Sequence, residues 1–141
     1  MTEKTRKNRI WLCSAIALYA LCFAVNLAGA WWEYNSAAIW NFLISVAYIL
    51  FWILFTADAG SSRGRRRVAN VVAVLTLIGG LLGLVARAPN AWFALIPALA
   101  LTPLTAVPMY GLRMFFGWNT VYMLTGILGG LWLLWLAWRN K

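Results

Sequence analysis

The sequence predicts an all-α integral membrane protein, a bundle of four transmembrane helices with one additional proline-rich segment. Hydrophobic residues make up 64% of the 141 residues and charged residues only 11%, whereas a soluble chain has about 45–50% and about 25%. The charges form short clusters, between which the chain runs uncharged for the roughly 20 residues that a membrane-spanning helix requires. The ten tryptophans agree with this, because indole rings concentrate at the membrane–water boundary.

The uncharged runs set the boundaries of the four transmembrane helices, which form a single bundle over residues 1–141. We expect the first helix over residues 10–31, the second over 36–57, the third over 68–86 and the last over 118–138. The N-terminus resembles a secretory signal, but its apolar run is longer than the roughly 7–15-residue core of such a signal. We therefore expect it to be retained as the first helix.

Residues 91–110 do not have the pattern of an ordinary spanning helix. They contain Pro97, Pro103 and Pro108, and each interior proline removes a backbone donor and clashes with the preceding helical turn. We expect short helical pieces joined by irregular backbone, which exists at membrane depth only where protein or a wet cavity shelters it. The segment is therefore predicted to be re-entrant or interfacial, between the third and last helices. The alternative is a fifth transmembrane helix.

The distribution of basic residues predicts the orientation. With four spans and both termini in the cytosol, ten of the twelve Lys and Arg residues lie inside and only Arg87 and Arg113 lie outside. Five spans give nine against three. Both counts follow the positive-inside tendency, and four spans follow it better. The strong bias and the small size favour the plasma (inner) membrane of a bacterium, with the N-terminus cytosolic.

Composition removes most catalytic chemistries. The chain has no histidine and three acidic residues, so imidazole catalysis, paired carboxylates and two-metal chemistry lack their residues. Cys13 and Cys22 fall on opposite sides of one helix and cannot bridge each other. We therefore expect no enzymatic activity, no metal and no cofactor. We also expect no nucleic-acid partner, since the basic clusters between apolar runs are those that membrane topology produces.

Polar residues in and near the spans give the candidate ligand site, because such residues are expensive in a membrane. In the four-span orientation six of them fall in or near the outer leaflet. The hypothesis is an outward-facing pocket, covered by the proline-rich segment, in which Glu33 pairs with Arg87 or Arg113. The alternative is hydrogen bonding between helices plus ordinary boundary charges. The six residues are Asn26, Glu33, Asn41, Arg87, Arg113 and Asn119.

Four arginines form a basic turn on the predicted inner side, before the third helix. They fix the topology, bind anionic lipid of the inner leaflet, or dock a cytosolic partner. The residues are Arg63, Arg65, Arg66 and Arg67.

Two G-x-x-x-G pairs lie near the middle of their helices, Gly79/Gly83 on the third and Gly126/Gly130 on the last. Small residues at this spacing allow close approach of another helix. They predict either self-association or contact with another membrane protein, or packing of the third helix against the last.

These features lead to two functional expectations. The first is a non-enzymatic accessory or regulatory subunit of a membrane complex, such as a transporter partner, a sensor modulator or an immunity-type protein. The alternative is a small oligomeric transporter, or a ligand- or lipid-binding membrane protein, that uses the outward-facing polar pocket.

Overall fold

The computed structural model describes residues 3–32, 37–58, 62–89 and 91–139, and the regular structure in these ranges is entirely helical. The α-helices are α1 (Glu3–Trp32), α2 (Ile39–Asp58), α3 (Arg63–Val85), α4 (Leu95–Ala106), α5 (Trp118–Val121) and α6 (Gly129–Arg139). A 3₁₀ turn, Trp92–Ala94, precedes α4, and a 3₁₀ helix, Val107–Met114, follows it directly. A π-helical stretch, Tyr122–Leu128, joins α5 to α6, and these three elements form one continuous last helix.

Within the described residues, five helical stretches are long and apolar enough to cross a membrane, which confirms the predicted class of an all-α membrane protein. The stretches are Thr5–Leu27, Ile39–Asp58, Arg63–Val85, Leu95–Met114 and Asn119–Arg139.

The helices extend further into the charged segments than the uncharged runs indicate. The first begins at Glu3 instead of residue 10, and the third begins at Arg63 instead of residue 68. The four arginines predicted to form a turn are thus part of the first turns of α3. Arginine is a good helix former, and the contact of Arg65 with Asp58 holds the start of α3 against the end of α2.

Glycines of α3 and the last helix pack against each other, although Gly79 of the predicted pair faces Thr105 of α4 instead. A Cβ added to Gly80 would lie 2.6 Å from the Cα of Gly126, and one added to Gly83 would lie 3.0 Å from the ring of Tyr122. A Cβ on Gly130 would meet the backbone carbonyl of Ala73 at 3.1 Å. Gly83, Gly126 and Gly130 thus lie between α3 and the last helix.

Aromatic side chains of α1 and α2 pack against each other. Trp11 of α1 lies with its ring centroid 5.9 Å from that of Phe55, and Phe55 lies 5.2 Å from Trp52. Phe55 and Trp52 are both buried. Offset and edge-on ring contacts of this kind add to the packing energy of a helix pair.

Candidate functional site

The first half of the proline-rich segment runs along α3 in the opposite direction. Leu95, at the start of α4, lines a cavity together with Arg87, which follows the end of α3. Near the other end of α4, the side chain of Thr105 lies directly against Gly79, in the interior of α3. The segment therefore starts at the Arg87 end of the bundle and reaches its middle at Thr105.

The second half runs back along α1. The hydroxyl of Tyr19 donates a hydrogen bond to the carbonyl of Leu104 over 2.8 Å. Further along both elements, the side-chain amide of Asn26 donates to the carbonyl of Pro108 over 3.1 Å. Still further, the ring of Tyr110 lies against Gly29, where an added Cβ would be 2.5 Å from it. The order of these contacts shows that residues 104–110 run parallel to α1, back towards the end from which α4 came.

The two ends of the segment meet at one cavity. Leu95 and Arg113 both line it, although a straight helix of this length would separate them by about 27 Å. Residues 92–114 therefore form a helical hairpin, with α4 as one arm and the 3₁₀ helix as the other. The expected irregular backbone is not found in this described range. Pro97 lies in the first turn of α4, where no helical donor is required, and Pro108 lies at the start of the 3₁₀ helix.

The 3₁₀ arm is held by side-chain hydrogen bonds from α1 and α2. The amide of Asn26 donates to the hydroxyl of Ser45 over 3.2 Å as well as to the carbonyl of Pro108. That hydroxyl donates to the same carbonyl over 2.9 Å and accepts from the backbone N–H of Gly111 over 3.1 Å. The amide of Asn41 donates to the side-chain oxygen of Asn26 over 2.9 Å. Because Ser45 uses its one donor and both acceptor positions, this network is complete without a ligand.

Backbone contact fixes the same arm to the start of α2. A Cβ on Gly111 would overlap the backbone carbonyl of Asn41 and the nitrogen of Phe42. Glycine is therefore required here by the close approach of the two backbones. The side-chain oxygen of Asn41 also accepts a hydrogen bond from the backbone N–H of Ala38, just before α2, over 3.1 Å. Asn41 therefore stabilises the start of α2 and also belongs to the network.

The space between the arms and their neighbours is the hairpin cavity, of about 350 Å³. Two arginines, Arg87 and Arg113, border it. The guanidinium of Arg87 donates to the side-chain oxygen of Asn119 over 3.1 Å and lies 5.5 Å from the ring centroid of Tyr122. The rest of the lining is mostly small or aliphatic: Ala30, Gly83, Ala86, Leu95, Ala98, Leu99, Thr102, Pro103, Ala106, Val107 and Tyr122 complete it.

At the opposite end of the bundle, Arg65 is buried with only 1% of its side chain exposed. Its guanidinium contacts the carboxylate of Asp58 at 2.7 Å and lies 5.9 Å from the ring centroid of Trp11. The ammonium group of Lys7 lies 3.4 Å from the same carboxylate. This cluster joins α1, α2 and α3, so Arg65 has a packing role that the predicted lipid- or partner-binding turn did not include. Arg63 and Arg67 are exposed.

Five of the six residues of the predicted outer pocket separate into two groups. Asn26 and Asn41 belong to the hydrogen-bond network, as the alternative of bonding between helices expects. Arg87, Arg113 and Asn119 gather at or beside the hairpin cavity. Glu33, predicted to pair with one of these arginines, lies outside the described residues.

Ser45 and Tyr122 were not among the predicted site residues, yet each has a central position in one of the two groups. The signal that could have identified them is helical spacing. Ser45 lies four residues after Asn41, and Tyr122 lies three after Asn119, so each shares a helix face with a predicted residue.

No protein family model, curated protein or solved structure matches this chain.

Proposed function

We propose that the protein is a non-enzymatic, ligand-binding membrane protein with four transmembrane helices and a re-entrant hairpin. Its ligand binds in the hairpin cavity, which opens at the outer face of a bacterial plasma membrane, with both termini in the cytosol. The observation that carries this proposal is the meeting of both hairpin ends and both outer arginines at one cavity. Helical backbone that returns within the membrane is tolerated where protein shelters it, and α1, α2 and α3 supply that shelter.

Single cysteines on either side of the hairpin test the topology. In a background of Cys13→Ser and Cys22→Ala, we expect Ala88→Cys and Gly117→Cys to react with a membrane-impermeant maleimide from the outer face. Gly64→Cys should react only after permeabilisation. Gly117 has no atom within 4 Å of an added Cβ, and Gly64 has only the hydroxyl of Ser62 at 3.9 Å, so these substitutions are matched. Labelling of Ala88→Cys and Gly117→Cys from opposite faces would support five spans and contradict the hairpin.

A cavity-filling substitution tests the binding function. Ala86 is half-buried and lines the cavity, whereas Ala47 is exposed on α2. We expect native mass spectrometry of the protein, purified in mild detergent, to detect a bound small molecule. Ala86→Leu should lose that mass, and Ala47→Leu should retain it. An equal occupancy in the two variants would place the ligand elsewhere and refute the proposal.

A second candidate function is that of an accessory or regulatory subunit, which the exposed face of α1 favours. Cys13, Ala17, Ala20 and Ala24 are small, exposed and on one side of the helix, which permits close approach of another transmembrane helix. We expect a stoichiometric larger membrane protein to co-purify and Ala20→Leu to release it. Oxidative cross-linking through Cys13 identifies a second copy instead. A protein that purifies alone and does not cross-link would exclude this function.

A further inference from the structure

From the charge and shape of the hairpin cavity, we infer that its ligand is an amphiphile with one anionic head, a phosphate or a carboxylate, and an acyl chain. This inference rests on the proposed ligand-binding function and adds the chemical class. The head lies between Arg87 and Arg113, and the chain lies along α4 towards the lipid.

The first argument is the charge at the cavity. Its described lining has two arginines and no acidic residue. The whole chain has three acidic residues. Glu3 begins α1 and Asp58 ends α2, both at the other end of the bundle, where Asp58 contacts Arg65. Glu33 is therefore the one remaining acidic residue of the sequence, and it can neutralise no more than one arginine. At least one positive charge remains for a ligand.

The second argument is that the polar groups suit an oxyanion. The planar guanidinium group of arginine binds phosphate and carboxylate through paired hydrogen bonds. Asn119 and the ring of Tyr122 hold Arg87 beside the cavity. Thr102 lines the same cavity, and its buried hydroxyl has no hydrogen-bond partner among the described residues. A buried hydroxyl without a partner is costly, and a ligand oxygen would satisfy it.

The third argument is the apolar wall. On the α4 side the cavity is bordered by Leu95 and Leu99, which are 49% and 66% exposed. Since these side chains face the lipid, a chain attached to the head can leave the cavity between them without crossing water. A volume of about 350 Å³ falls within the range of small-molecule sites. The cavity thus combines a cationic end with an apolar exit.

Two other cavities of the bundle lack this combination in their described lining. They measure about 330 and 480 Å³ and share the side chains of Tyr48, Trp52, Val72 and Thr76. Neither has a charged residue in its described lining. An anionic head would lose its hydration there without gaining a cation, so neither of these two cavities suits the charged ligand.

The test is competitive lipid binding to the full-length protein in detergent, followed by native mass spectrometry. The probes are phosphatidylglycerol and phosphatidylethanolamine with identical acyl chains, together with inorganic phosphate. Both lipids carry a phosphodiester anion, but we expect about tenfold preference for phosphatidylglycerol, because the two arginines repel the ammonium group of phosphatidylethanolamine. Arg87→Gln/Arg113→Gln should remove the preference. Arg63→Gln/Arg67→Gln, which removes two exposed charges from the other end, should keep it.

The conservative double variant Arg87→Lys/Arg113→Lys keeps the two positive charges and should keep part of the preference for the anionic lipid. It provides the test if the glutamine variant does not elute as a monodisperse species. An unchanged preference in a folded glutamine variant overturns the inference. Binding of inorganic phosphate but of neither lipid would show that the ligand is not an amphiphile, and so overturns the inference. Equal binding of both lipids that Ala86→Leu abolishes overturns the net negative charge of the head but leaves the proposed function intact. Absence of any cavity-dependent ligand refutes the proposed function itself.

Discussion

The two arms of the hairpin are built from adjoining residues but are held in different ways. The 3₁₀ arm is buried, and Tyr110 is only 2% exposed. The carbonyl of Pro108 accepts a hydrogen bond from the side-chain network, and the N–H of Gly111 donates one to it. The α4 arm faces outwards, with Ile96 80% exposed. It is joined to α1 by the hydrogen bond from the hydroxyl of Tyr19 to the carbonyl of Leu104.

The difference indicates which arm fixes the fold and which can adapt to a ligand. Moving the 3₁₀ arm would break several buried hydrogen bonds at once and leave their partners unpaired in an apolar medium. Moving α4 would mainly exchange protein contacts for lipid contacts. We therefore expect substitutions on the 3₁₀ arm to change stability, and substitutions along α4 to change the exchange of the ligand.

Gly111→Ala should have the largest effect. The added methyl group would overlap the backbone of Asn41, and neither backbone can move without breaking the network. We expect a loss of about 3 kcal/mol in stability, measured by unfolding in SDS with tryptophan fluorescence. Gly117→Ala, where an added Cβ has open space, is the control. Equal stability of the two variants would mean that the arm is not fixed at this point.

Asn26→Leu should have the next largest effect. It keeps the size of a fully buried side chain but removes the donors to Ser45 and Pro108 and the acceptor for Asn41. We expect a loss of about 2 kcal/mol, with the lipid preference of the folded fraction unchanged. A variant that is fully stable and has lost its ligand would instead place Asn26 in the binding site.

Gly79→Ala probes the α4 arm. The new methyl group would overlap the side chain of Thr105, which lies on the arm that has room to shift. We expect a smaller loss of about 1 kcal/mol, together with altered ligand dissociation in a chase with unlabelled lipid. If stability falls as far as in Gly111→Ala, the two arms are equally rigid and the comparison fails.

Tyr19→Phe should have the smallest effect on stability. It removes one hydrogen bond to the carbonyl of Leu104, and such bonds between membrane helices contribute about 0.6 kcal/mol on average. The same chase measures the outcome: ligand dissociation should be faster, because Leu104 lies near the end of α4 that meets the 3₁₀ arm. An unchanged dissociation rate would show that this end of α4 does not control access.

Much of the fold follows from the sequence. The remainder depends on contacts between different helices, which the order of residues along the chain does not show. The uncharged runs predict the apolar helices, and the three prolines identify residues 91–110 as different from an ordinary span. Helical spacing places Asn41 and Ser45 on one face, but it does not indicate that Asn26 of another helix lies opposite. The early start of α3 depends in the same way on Asp58, which contacts Arg65.

The π-helical stretch in the last helix changes the angular relation between its two ends. Tyr122 begins the stretch beside the cavity, and Trp132 follows it on the way to the arginine-rich end. Each residue of an α-helix turns the chain by about 100°. A residue of the wider π-helical turn turns it by less, so the side chains after the stretch point in different directions from those of a continuous α-helix. Because a π-helical turn holds about one residue more than an α-helical turn, restoring α geometry over Tyr122–Leu128 without removing a residue would rotate Trp132, Trp135 and Trp138 by about 100° relative to Asn119. The aromatic row that faces the lipid is therefore set by the register of this one turn.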